Sequence, residues 1–290
     1  MRIGRAHVRR ALVTFVSLAT LSYATMAYAL HASHAAAERS VAAPPSVEVP
    51  LPSPGVPAVP VIDRPVDDRV PVLVALGDSV PAGAGCDCPN FVSDYADLLA
   101  NRVQQTVRVT NFARGGAYTS DVLAQLNQPA VQDAVRDATT VVLMVGANDF
   151  YQPFKRVRAG AKKTIEFRAA AGRVQRNVEQ SIRQIRALHS GPVTVVVLGY
   201  WNVVEDGKVG RRNYGADGVG AAKSATGWAN GALKAAARSE HAVYLSTYAA
   251  FKGAHGGKDP TALLAADGNH PNAAGHQVLA RVVYGPLPTG

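Results

Sequence analysis

Apolar runs of strand length alternate with helix-length amphipathic stretches along most of the chain. Residues 71–76 (PVLVAL), 139–145 (TTVVLMV) and 193–198 (VTVVVL) are continuous apolar runs, each stopped by glycine. Residues 107–112 (VRVTNF) alternate and carry β-branched side chains, and 243–246 close the series. Such runs suit strands buried on both faces of a parallel sheet. Between them Val92, Tyr95, Leu99 and Val103 recur at helical spacing. Val174, Val178, Ile182, Ile185 and Leu188 do the same, with arginines and glutamines on the other face. Residues 220–238 are alanine-rich, and a last helix is expected to start at Pro271, a residue suited to the first helical position. Strands alternating with helices predict a doubly wound α/β sheet in one domain spanning 70–290. Ligands of such sheets bind beyond the carboxyl ends of the strands, so the turns there are where chemistry is sought.

Four turns stand out. Gly77-Asp78-Ser79 follows the first strand, and Gly115-Gly116 lies just after the second. Gly146-Ala147-Asn148-Asp149 follows the third, and Asp267-Gly268-Asn269-His270 precedes Pro271. A hydroxyl, a glycine turn, a side-chain amide and an Asp-x-x-His pair are the inventory of acyl transfer. A serine hydroxyl is a poor nucleophile until a base takes its proton. His270 is suited to that, because imidazole titrates near neutrality, and Asp267 can hold its other ring N–H. Attack on an ester puts negative charge on the carbonyl oxygen, where each neutral donor is worth about 3 kcal/mol. The Asn148 amide and the N–H groups of Gly116 and Ser79 are the candidates, with glycine at 116 permitting positive φ. Each turn alone has a plainer reading; Asp267 and His270, for instance, would simply cap the last helix. Their joint placement at one sheet edge favours the chemical reading. Asp78 is read as a structural hydrogen-bonding group, and Asp149 as support for the turn that aims Asn148.

These residues resemble the SGNH (GDSL) hydrolase family over about 70–285. The resemblance implies a three-layer α/β/α sandwich with a central, mostly five-stranded parallel sheet. It implies Ser79 as nucleophile, Asp267 and His270 as the rest of a triad, and Ser79, Gly116 and Asn148 as the oxyanion hole. Gly115 departs from the small polar residue that members often show before the key glycine. The stretch 77–99, with Cys86-x-Cys88, is also similar to exported actinobacterial members. The implied activity is that of a serine esterase needing no cofactor, on a small-molecule, lipid or O-acylated glycan ester. An acyltransferase acting on envelope glycans or lipids and a non-catalytic envelope-binding domain are the alternatives.

Composition narrows the picture. Apolar residues at 48% and charged residues at 18% exclude a wholly disordered chain. Of the net charge of +9, four arginines lie within the first ten residues. The mild remainder argues against a nucleic-acid partner. Residues 1–30 combine those arginines, an uncharged apolar stretch and Ala27-Tyr28-Ala29, the pattern of a secretory signal. An uncleaved membrane anchor is the rival, since about 20 apolar residues span a bilayer. Residues 31–69 are proline-rich and read as an extended linker. Either way the domain is expected to be secreted or tethered outside the cytoplasmic membrane.

The remaining signals stay open. Tyr200 and Trp201 follow the fourth strand and are expected to line the substrate pocket, with aromatic packing of the loop as the other reading. Cys86 and Cys88 form a local disulfide or stand as free thiols. The basic segment 151–169 is either a solvated face or a lid that would favour anionic substrates. The Gly-x-Ser-x-Gly elbow is absent. Gly83-x-Gly85 fails the dinucleotide fingerprint because position 88 is cysteine. His270 and His276 do not share a helix face as a metal pair would, so no metal is expected.

Overall fold

The computed structural model describes residues 70–285; the expected signal or anchor and the linker lie outside them. Five parallel strands form one sheet, β1 Val72–Gly77, β2 Arg108–Asn111, β3 Thr140–Met144, β4 Thr194–Leu198 and β5 Val243–Leu245, in the order β2-β1-β3-β4-β5. The continuous apolar runs occupy the middle of the sheet, where both faces are covered. Leu73 to Leu76, Val141 to Met144 and Val195 to Leu198 are all buried. β2 departs from the expectation of a strand buried on both faces, because all four of its residues are exposed. It is an edge strand paired with β1, and its polar residues (Arg108, Thr110, Asn111) suit an edge.

Helices α1 Ser79–Ala82 and α2 Phe91–Val103 follow β1, and α3 Thr119–Gln125 and α4 Pro129–Asp137 follow β2. Helices α5 Ala147–Arg158 and α6 Lys163–Leu188 follow β3, and α7 Gly207–Ser239 follows β4. After β5 come α8 Tyr248–Lys252 and α9 Ala273–Tyr284. α9 packs on α2, whereas α3, α4, α5 and α7 all pack on α6, so the sheet is the middle of three layers. The apolar stripe of α6 (Phe167, Val174, Val178, Ile182, Ile185) is fully buried. α7 runs well beyond the expected 220–238, with a break at Gly215, and buries small residues such as Ala222, Ala225 and Ala229.

Two local features place the chemistry. Gly77 ends β1 level with Met144 of β3, and the Asp78 N–H donates to the Met144 carbonyl at 3.0 Å. The turns after these strands therefore leave the sheet side by side. The last helix starts later than Pro271, because Asn272 is its cap and accepts the Gly275 N–H at 3.0 Å. Pro271 instead forms a bridge with Leu264. His270 is thus not a cap, and its ring is free to face the end of β1.

Candidate active site

Ser79 is the first residue of α1, and the residue before it fixes that helix. The Asp78 carboxylate accepts the Val80 N–H at 3.1 Å and the Tyr200 hydroxyl at 2.5 Å. Burial raises the Asp78 pKa to about 6, against the lowering pull of those two hydrogen bonds and of His270. Its neighbours match the structural role expected of it.

His270 joins two loops that are distant in sequence. Its Nε2 lies 2.9 Å from Ser79 Oγ, and its Nδ1 lies 2.6 Å from Asp267 Oδ2. Asp267 Oδ1 also accepts the N–H groups of Asn269 and His270 at 2.8 and 3.0 Å. Burial pushes the Asp267 carboxyl up, but the His270 ring and those two amides outweigh it and hold it below its ordinary range. An ionised carboxylate at Nδ1 keeps the proton there, which leaves the Nε2 lone pair facing the serine hydroxyl.

The amide of Asn148 is aimed by a single bond. Its Nδ2 donates to the Ala117 carbonyl at 2.9 Å, which leaves a second amide proton for a ligand. Asp149 accepts the Thr119 N–H at 3.0 Å and its hydroxyl at 2.8 Å, as expected of a residue supporting this turn. Together these bonds tie the loop after β2 to the first turn of α5. Gly116 sits in that loop with φ of +75°, a conformation that favours glycine. It is exposed and does not line the cavity described next.

A cavity of about 190 Å³ opens over Ser79, His270, Asp267 and Asn148. Tyr200 and Trp201 border it but are each only 1% exposed. Tyr200 is held by Asp78 and by Asn230, and Trp201 stacks on Phe251 with centroids 4.2 Å apart. Most of their surface is therefore core packing, and they meet the cavity only as its wall. Tyr151 of α5 reaches the cavity, so the segment after Asn148 does overhang the site. Its basic residues do not: among the described residues no lysine or arginine lines the cavity, whose charged side chains are Asp78, Glu205 and Asp267 beside His270. The expected preference of a basic lid for anions has no support in this lining.

Several supporting residues were not singled out from the sequence. Gly85 has φ of +82°, and a Cβ there would lie 2.7 Å from His270 Cβ and 3.3 Å from Asp267 Oδ2. The loop that carries it holds Cys86 and Cys88 joined as a disulfide. The Asp267 loop is supported in turn by Asp206, whose N–H donates to the Gly268 carbonyl at 2.7 Å. Lys252 Nζ pairs with the Asp206 carboxylate at 2.6 and 2.8 Å. His276 points away from the cavity. Its buried Nδ1 accepts the Phe91 N–H at 3.2 Å, and burial, helped by the nearby His270, pushes its pKa down to about 4. The Gly-x-Gly spacing was the one visible signal of Gly85; the Asp206–Lys252 pair left none, because its members lie on different elements.

Comparison with protein families matches residues 75–278 to the GDSL-like lipase/acylhydrolase family. The spore germination lipase LipC of Bacillus licheniformis is 25% identical over 211 residues, covering 71% of this chain and 91% of that one. The uncharacterized protein YpmR of Bacillus subtilis is 27% identical over 220 residues, 73% of this chain and 80% of that one. Among solved structures, the lipase Lip_vut3 from a goat rumen metagenome has a TM-score of 0.60 at 23% identity, covering 74% of this chain and 96% of its own. An acetylxylan esterase of Geobacillus stearothermophilus has a TM-score of 0.52 at 17% identity, covering 73% and 92%. These structural likenesses show the shared fold.

Proposed function

This chain belongs to the GDSL-like lipase/acylhydrolase family and is a carboxylic ester hydrolase, and from that premise we propose that it works through an acyl-enzyme on Ser79. The observation that carries this reading is the unbroken line from Asp267 through His270 to Ser79, with spacings of 2.6 and 2.9 Å. His270 Nε2 takes the hydroxyl proton as Ser79 Oγ bonds to the ester carbonyl carbon. Asp267 steadies the resulting imidazolium. The charged oxygen is received by the Ser79 N–H and by the free proton of Asn148 Nδ2, both of which border the cavity. As the C–O bond to the alcohol breaks, His270 returns its proton to the leaving oxygen. Water, deprotonated by the same ring, then attacks the acyl carbon, releases the acid and restores Ser79.

The test is hydrolysis of p-nitrophenyl acetate by the full chain. Ser79→Ala and His270→Ala should each lower kcat by about ten-thousandfold or more. Asn148→Ala should cost roughly a hundred- to a thousandfold. Near wild-type turnover in Ser79→Ala would refute the mechanism. The pattern of residues 1–30 supports export, with the chain secreted or tethered to the outer face of the cytoplasmic membrane. Protease treatment of intact cells should then degrade any retained chain, and full protection of a cytoplasmic pool would overturn that reading.

A further inference from the structure

We propose that the ester's alcohol is a neutral polyhydroxylated one, a saccharide hydroxyl carrying a short acyl group such as acetyl, and that Tyr151, Tyr214 and Glu205 bind it. The inference rests on the hydrolase reading of the same cavity and adds its substrate class.

Size limits the acyl group. The cavity of about 190 Å³ lies below the roughly 300 Å³ at which pockets for drug-sized ligands begin. Its apolar lining is small: Val80, Val203 and Val204 are buried, and Trp201 is backed by Phe251. A long acyl chain needs a continuous apolar channel, and among the described residues this lining forms none.

Charge limits the alcohol. A phosphate or carboxylate beside the scissile ester would need a lysine or arginine partner. Among the described residues none lines the cavity, and Glu205 and Asp267 would repel it. A cationic alcohol would need an aromatic face free to receive it. Tyr151 already carries Lys155 Nζ at 5.5 Å from its centroid, and Tyr214 carries Arg158 at 5.0 Å. Those cations weaken the pull of either ring on a second one. What remains suits a sugar: the ring edges and hydroxyls of Tyr151 and Tyr214 with the amide and carboxylate groups beside them, all placed to meet its hydroxyls. Glu205 Oε2 accepts from Asn213 Nδ2 at 2.5 Å, which orients the carboxylate toward this role.

The experiment measures acetate release by the full chain from acetylated xylo-oligosaccharides, acetylcholine and p-nitrophenyl acetate. Fatty-acid release from p-nitrophenyl octanoate and lysophosphatidylcholine is measured in parallel, with Ser79→Ala as control. The expected kcat/KM on the acetylated saccharide is at least tenfold above that on acetylcholine and on lysophosphatidylcholine, and acetate is preferred to octanoate. Tyr151→Ala, at an exposed position, and Glu205→Gln should raise KM for the saccharide at least fivefold more than for p-nitrophenyl acetate. Preference for octanoate, for acetylcholine or for the phospholipid overturns the inference, as does an equal effect of both variants on the two acetates. If Ser79→Ala matches wild type, the hydrolase reading of the site fails first and takes this inference with it. Ser79-dependent turnover of p-nitrophenyl acetate without the saccharide preference overturns the inference alone.

Discussion

Replacing Asp78 with asparagine should remove a pH dependence of stability whose size follows from one shifted group. Burial raises the Asp78 pKa from 3.8 to about 6, despite hydrogen bonds from Tyr200 and Val80 that favour the charged form. A carboxyl raised in this way holds its proton more tightly in the folded than in the unfolded chain. Its penalty is absent below the unfolded value, grows between pH 3.8 and about 6, and is complete above that. A difference of about two pK units corresponds to about 3 kcal/mol. The wild type should therefore lose about 3 kcal/mol relative to Asp78→Asn as pH rises from about 2.5 to about 7.5. The amide oxygen still accepts the Val80 N–H, but the amide nitrogen meets the Tyr200 hydroxyl. That mismatch adds a cost of about 1–2 kcal/mol that does not vary with pH. Urea unfolding of both proteins across this range gives the difference, and comparing the two cancels every other titrating group. Parallel curves, or a variant that loses ground as pH rises, would refute the reasoning.

Gly85→Ala should lower kcat by on the order of a hundredfold, because the new methyl forces the His270 ring from its place; kinetics with p-nitrophenyl acetate checks this, and an unchanged kcat would show that the loop yields instead. Opening the Cys86–Cys88 bridge with dithiothreitol should lower kcat several-fold through the same loop, and a Cys86→Ser, Cys88→Ser double variant should be lowered beforehand and insensitive to the reductant. Lys252→Met should destabilise the fold by about 3 kcal/mol in chemical denaturation, since it leaves the nearly buried Asp206 carboxylate unpaired, and adding Asp206→Asn should recover part of the loss. Asn272→Ala should cost about 1 kcal/mol by removing the cap of α9, measured as a shift in the thermal midpoint.

The central strands were legible because burial on both faces demands uninterrupted apolar residues, as in 139–145. β2 was legible as a strand but not as an exposed one, since its edge position depends on which strands flank β1. The short helices α1, α3 and α8 escaped notice because one or two turns give little periodicity. The first half of α7 escaped for a different reason. Gly207, Gly210, Gly215, Gly218 and Gly220 lower helix propensity there, and packing against α6 and α5 makes up the deficit. The candidate residues that the structure brings together were legible because Ser79, Asn148 and the Asp-x-x-His pair each sit in a turn at one sheet edge. Their supports were not, because Gly85 against His270 and Asp206 beneath Gly268 are contacts made only by the folded chain.

Ser79 and His270 lie 191 residues apart. Since a chain is made from its N-terminus, the proposed nucleophile emerges early and its proposed base almost last. The sheet's five strands are complete by Leu245, well before His270 has been added. Reactivity therefore arrives as a late event, when α9 seats against α2 and the Phe91 N–H reaches His276. A growing chain carries an unactivated serine through nearly all of its synthesis. On the proposed mechanism, a product cut short before residue 267 would keep the strands and the hydroxyl yet be chemically silent, so turnover doubles as a certificate of completion.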